Sequence, residues 1–161
     1  MTLRQPFWLD ANVYIECKNR WYPFQRVPKF WSFLASKIED GSILSPKAVY
    51  DELVEYEDQL SDWAKSRKRG IGVAPITGVQ TCYRDIADHV VSSFPREKAE
   101  EFLAGADPWV IASAWHIGGT VVTHESTSRR RKIRIPIVCQ HFGVPFTDIV
   151  AVLDHFNVIL A

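Results

Sequence analysis

The stretch Phe7-Trp8-Leu9-Asp10-Ala11-Asn12-Val13 decides the reading of this chain. Three consecutive apolar residues ended by an acid read as a short strand buried on both faces. Asp10 stands where that strand stops, and the residues after it continue as a helix through Glu16. Two later segments repeat the pattern of an acid at an apolar boundary. Asp107 lies between Gly105-Ala106 and the run Pro108-Trp109-Val110-Ile111-Ala112, and Glu125 comes just after Thr120-Val121-Val122-Thr123. In α/β proteins the carboxyl ends of parallel strands face one crevice, and ligands bind there. Carboxylates gathered at such an edge repel one another unless a cation joins them. All-oxygen donors point to Mg²⁺ or Mn²⁺.

Working outward, Phe30, Phe33, Leu34 and Ile38 have helical spacing, and Asp40-Gly41 closes that helix. Ile43-Leu44 reads as a second strand. Ser45-Pro46 opens a helix with a predicted stripe of Val49, Leu53, Tyr56, Leu60 and Trp63. Residues 65–72 read as a basic loop, and Val73-Ala74-Pro75-Ile76 as a short edge strand. Thr77 is placed to cap a helix carrying Val79, Cys82, Tyr83, Ile86 and Val90, and a further helix covers 95–103. Asp107-Pro108 opens a helix that is apolar nearly all round, with Asp107 well placed as its N-cap, and Gly118-Gly119 ends it. After the strand at 120–123, residues 126–134 read as a polar, basic loop. A helix over 136–142, an extended Val144-Pro145-Phe146 and a last helix capped by Thr147 complete the chain. Short strands alternating with helices predict a three-layer α/β/α fold with a short central parallel sheet, in one domain spanning 1–161.

Composition narrows the function only slightly. Nineteen basic and nineteen acidic residues leave no net charge, so only local clustering can speak for a nucleic-acid partner. Cys17, Cys82 and Cys139 lack CxxC spacing, which argues against zinc and fits reduced core cysteines. The N-terminus has no signal-like apolar region, and no apolar run reaches membrane-spanning length. A cytoplasmic protein without a membrane partner is therefore expected.

A fourth carboxylate is expected from the helix after Ser45. Among Asp51, Glu52, Glu55, Glu57, Asp58 and Asp62, helical phase favours Glu52, three residues after Val49 and four before Tyr56. Glu55 is the reserve. Asn12 either pins the turn after Asp10 or supports a neighbouring carboxylate. The Thr123 hydroxyl either faces the crevice or lines the strand.

Together these residues resemble the PIN-domain family of nucleases. The resemblance rests on Trp8-Leu9-Asp10-Ala11-Asn12-Val13, on the Ser45 segment with Glu52, and on Gly105-Ala106-Asp107-Pro108-Trp109-Val110-Ile111-Ala112. It extends through Thr120-Val121-Val122-Thr123-His124-Glu125, Ile135-Pro136 and Phe142-Gly143-Val144-Pro145. It implies a metal-dependent ribonuclease site in which Asp10 and Asp107 contact Mg²⁺ or Mn²⁺, while Glu52 and Glu125 hold water or a second ion. Many family members have Asp where this chain has Glu125. Small bacterial and archaeal members are toxins of toxin–antitoxin pairs, usually dimeric, so a cognate antitoxin and a homodimer are implied partners.

RNA must still be held against an acidic site. Arg129, Arg130, Arg131 and Lys132, just after Glu125, are the expected phosphate contacts. Trp21, Tyr22 and Phe24 are expected to pack, and His124 to make a local hydrogen bond. Two other functions compete. One is a catalytically silent PIN-like interaction domain. The other is a metal-dependent phosphohydrolase of the haloacid dehalogenase type. The latter is disfavoured because position 12 is Asn and the residue four beyond Asp107 is Ile111.

Overall fold

The computed structural model describes residues 5–125 and 132–161. Its strands are β1 (Phe7–Leu9), β2 (Ile43–Leu44), β3 (Thr120–Val122) and β4 (Phe146–Thr147). They form one parallel sheet in the order β2-β1-β3-β4. Trp8 and Leu9 point to opposite faces of the sheet, as do Val121 and Val122, and all four are fully buried. Both faces are therefore covered, as a parallel sheet requires, and the expected three-layer α/β/α architecture stands. The chain leaves β1 toward β2 on one side and returns with β3 on the other. The gap between the ends of β1 and β3 is thus the topological switch point, where open α/β sheets bind ligands.

The helices are α1 (Ala11–Glu16), α2 (Pro28–Glu39), α3 (Lys47–Val54), α4 (Gln59–Lys65), α5 (Lys68–Ile71), α6 (Thr77–Ser93), α7 (Arg96–Ala104), α8 (Asp107–Ile117), α9 (Ile135–Phe142) and α10 (Ile149–His155). The nearly all-apolar α8 packs on β1 and β3, and α6 lies along it. That double burial explains why α8 has no polar face. Gly119, at a φ of +123°, turns the chain from α8 into β3, and a Cβ there would come within 2.1 Å of the Pro6 carbonyl oxygen. Only glycine fits that approach.

Several local expectations are corrected. The helix after Ser45 is two helices. α3 ends at Val54, and α4 starts afresh with Asp58 as its cap, whose side chain accepts from the Ser61 amide at 2.8 Å. Tyr56 falls in the link and is 66% exposed rather than part of the stripe. Ser45 does not cap α3, because Pro46 occupies that position. The Ser45 hydroxyl instead donates to the Leu9 carbonyl at 2.7 Å and lies 2.8 Å from the Tyr14 hydroxyl, tying β1, α1 and β2 together. Residues 73–76 form no strand. Val73 makes a single parallel bridge to Pro46. Thr77 begins α6 without capping it, and the cap of α10 is Asp148, not Thr147. The basic segment 65–72 contains α5, and the aromatic segment after α1 begins as a π-helical turn over Cys17–Trp21.

Candidate metal centre

Asp10 is fully buried at the end of β1. Its backbone amide donates to the Val122 carbonyl at 3.2 Å, which locks it to the end of β3. Its Oδ1 accepts from the Val13 amide at 2.9 Å, so Asp10 does cap α1. Its Oδ2 is buried without a hydrogen-bond partner. Burial first, then repulsion from Asp107, raises the Asp10 pKa from 3.8 to about 8, although the Val13 amide favours the anion.

Asp107 departs from its expected local role. Ala106 is the N-cap of α8, Asp107 is the first helical residue, and no side chain caps the helix. The Asp107 carboxylate is therefore not committed to its own backbone. The turn before it is held by Glu52 of α3, whose Oε1 accepts from the Ala106 amide at 3.0 Å. Burial and then the Glu125 charge raise the Asp107 pKa from 3.8 to about 7, with Lys132 opposing.

Glu125 is positioned by its backbone amide, which donates to the Thr123 hydroxyl at 3.1 Å. Thr123 is buried and its amide donates to the Thr147 carbonyl at 2.9 Å, so the segment after β3 is fixed against β4. Both carboxylate oxygens of Glu125 are buried without hydrogen-bond partners. Burial raises its pKa, while Lys132 and Arg134 pull it down.

These three acids converge. Asp10, Asp107 and Glu125 each offer a carboxylate oxygen, all within 4.8 Å of one another. Glu52 stands outside that trio. It is partly buried, its pKa is raised by burial, and it acts on Asp107 by charge and through the Ala106 hydrogen bond. Glu55, the reserve choice, is exposed at the end of α3. Asn12 is exposed on α1. Lys132 faces Asp107 and Glu125 electrostatically. Arg129, Arg130 and Arg131 lie outside the described residues.

The trio fits a hard divalent cation. Carboxylates from three segments, those of Asp10 and Glu125 with buried oxygens that lack hydrogen-bond partners, supply oxygen donors only, with no thiolate or imidazole among them. A cleft of about 660 Å³ between α2, β2 and α5 contains none of the four carboxylates.

Sequence reasoning missed two supports. The buried Ser45–Tyr14 pair lies directly behind Asp10, and only the adjacency of β1 and β2 reveals it. His124, expected to hydrogen bond locally, instead has its Nδ1 3.4 Å from a Glu16 carboxylate oxygen and its ring 4.4 Å from that of Trp21. The alternation of Thr123, His124 and Glu125 could have signalled that His124 turns away from the acids.

A short parallel sheet with acids at its switch point defines a PIN-like α/β fold. The chain belongs to the family described as a domain of unknown function, DUF4411, whose model matches residues 7–160. No curated protein matches the chain. Among solved structures it is similar to the crystal structure of VapBC2 from Rickettsia felis bound to a DNA fragment from their promoter. That similarity has a TM-score of 0.52 at 10% identity and covers 88% of this chain and 97% of that one. At that identity the likeness speaks for the fold.

Proposed function

We propose that this chain is a Mg²⁺- or Mn²⁺-dependent endoribonuclease that hydrolyses RNA phosphodiester bonds, and that it serves as the toxin of a toxin–antitoxin pair. The observation that carries the reading is the convergence of Asp10, Asp107 and Glu125 at the switch point of a PIN-like sheet, with buried, unpartnered oxygens on Asp10 and Glu125. The toxin assignment rests further on the likeness to VapBC2, and it brings a cognate antitoxin and a homodimer as proposed partners. No helix among the described residues is long and apolar enough to cross a membrane.

In this reading Asp10, Asp107 and Glu125 hold the cation, and Glu52 fixes the Ala106 amide so that Asp107 presents its carboxylate to the cluster. When bound, the cation neutralises the phosphodiester, activates water and stabilises the leaving oxygen. Thr123 orients Glu125 through the backbone, while Asp10 is fully buried and Asp107 and Glu125 are partly buried. Arg129 to Arg131 and Lys132 supply phosphate contacts on the approach.

The test is cleavage of a labelled single-stranded RNA in Mn²⁺ or Mg²⁺, with EDTA and Asp10→Asn as controls. Cleavage abolished by both supports the reading. Cleavage that persists in Asp10→Asn removes the trio from the chemistry. Growth arrest on expression, relieved by co-expressing a neighbouring gene product, tests the toxin assignment. Growth unaffected by an active enzyme would remove it.

A further inference from the structure

A second feature lies beside the carboxylates. Lys98 of α7 and Lys132 and Arg134 of the segment entering α9 converge on one small cavity of about 50 Å³, walled by Phe94, Ile133 and Ile137. All three cationic side chains are largely withdrawn from solvent, and among the described residues none forms an ion pair. Arg134 goes further, because its Nε is buried without any hydrogen-bond partner. A buried guanidinium nitrogen left unpaired is costly, two lysines beside it add repulsion, and the Glu125 charge that faces Arg134 and Lys132 offsets that only from outside the cavity. Such a group is tolerated when an anion completes it.

The size of the cavity limits the anion. A space of this size suits a small anionic group such as the oxygens of a single phosphate. The location is equally specific. Lys132 faces both Asp107 and Glu125, and Arg134 faces Glu125, so the cavity adjoins the metal centre.

We propose that Lys98, Lys132 and Arg134 form a cradle for one backbone phosphate of single-stranded RNA, next to the phosphate being cut. This rests on the ribonuclease reading for its ligand and adds Lys98 and Arg134 to the binding surface. Arg134 supplies a fixed planar donor set and the lysines supply point charges, a division that suits a non-reacting phosphate held for alignment.

The test is fluorescence anisotropy of a labelled single-stranded RNA on an Asp10→Asn protein, in which binding is read without cleavage. Lys98→Gln is compared with that reference and with Lys29→Gln as an exposed control. One counterion released per phosphate contact gives a slope of about 0.7 for single strands. Between 50 and 200 mM salt, Lys98→Gln should therefore lose about 2.6-fold less affinity than the reference, and Lys29→Gln should match the reference. Arg134→Lys keeps the charge and should weaken binding with little change in slope. Neutral methylphosphonate placed at successive linkages should weaken the reference at one position where it costs Lys98→Gln nothing further.

A folded Lys98→Gln with the reference affinity and slope overturns the cradle, as does a reference that binds no RNA. Unaltered RNA binding with weakened binding of a protein partner would reassign the cations to that partner. The two readings fail differently. Salt-dependent binding that needs Lys98 without any metal-dependent cleavage leaves the cradle and removes the nuclease, whereas cleavage with no Lys98 effect does the reverse.

Discussion

Asp10→Asn separates a helix cap from a metal ligand, because a cap alone predicts little change in stability whereas a buried acid held for a cation predicts a gain without metal and a loss of metal binding. Asn caps a helix about as well as Asp, so the Oδ1 bond to the Val13 amide survives the change. What the substitution removes is an acid whose pKa rises from 3.8 in the unfolded chain to about 8 in the folded one. Below pH 3.8 both states hold the proton and the group is neutral to stability. As pH rises above 3.8 the unfolded state ionises while the folded state keeps its proton, so stability falls until pH reaches the folded value. At pH 7 that interval, from 3.8 upward at about 1.36 kcal/mol per unit, is a destabilisation of about 4 kcal/mol. In metal-free buffer Asp10→Asn should therefore be more stable than the parent at pH 7 by up to about 4 kcal/mol, with the gap closing toward pH 4. Divalent cation narrows that gap, since a ligand at 100 times its Kd adds about 2.7 kcal/mol to the parent alone, and at 1,000 times its Kd, about 4.1 kcal/mol, it closes it. The assay is urea denaturation in EDTA and in saturating Mn²⁺, from pH 4 to 8. An Asp10→Asn protein that matches the parent's stability without metal, and is equally stabilised with it, would mean that Asp10 only caps α1.

Other substitutions test the supporting residues. Glu52→Ala leaves the Ala106 amide without its partner at 3.0 Å, so it should cost about 1–3 kcal/mol and weaken Mn²⁺ binding, whereas Glu52→Gln keeps an acceptor and should cost less; calorimetric titration ranks the two. Ser45→Ala strands the buried Tyr14 hydroxyl and should destabilise by about 2 kcal/mol, and Ser45→Ala with Tyr14→Phe should cost less than the sum of the singles in a double-mutant cycle. Gly119→Ala drives a Cβ to 2.1 Å from the Pro6 carbonyl oxygen at positive φ, so thermal melting should show one of the largest losses of any single change in the chain. Raising pH from 6 to 8 should increase Mn²⁺ affinity, because Asp10 and Asp107 must lose protons to bind and both are raised toward that range. A pH-independent affinity would remove them as ligands.

The strands that matter were legible because their residues are buried on both sides. Phe7-Trp8-Leu9 and Thr120-Val121-Val122 have no polar alternation to confuse, and an acid after each marks the end. Asp107 was legible as a position and misread as a cap, because Asp before Pro is good capping chemistry. The structure gives the cap to Ala106, and only the tertiary bond from Glu52 explains why that turn needs no side chain of its own. Glu52 was expected to join the acids because it borders the buried stripe; it lies outside the trio and bonds the Ala106 amide, and the stripe itself was extended through a helix break at 55–58 that local propensity does not announce. The Ser45–Tyr14 contact and the meeting of Lys98 with Arg134 were invisible for a simpler reason. Each joins residues more than thirty positions apart whose neighbours in sequence carry no sign of the partner.

The long-range nature of these supports bears on what a cation does here. Asp10 is fixed by the Val122 carbonyl, Glu125 by the Thr123 hydroxyl, and the Asp107 turn by Glu52. Each of these bonds exists without metal, so among the described residues the three acids are held in place before binding, with little conformational entropy to overcome. What the metal-free protein carries instead is electrostatic strain, seen in two aspartates held far above their ordinary range and in carboxylate oxygens buried without partners. A cation relieves that strain directly. Affinity should therefore depend more on how many of the three charges remain than on the flexibility of the segments that bear them. On that argument, removing one carboxylate by an isosteric amide costs metal binding while improving the stability of the empty protein, and loosening the scaffold at Glu52 or Ser45 costs both.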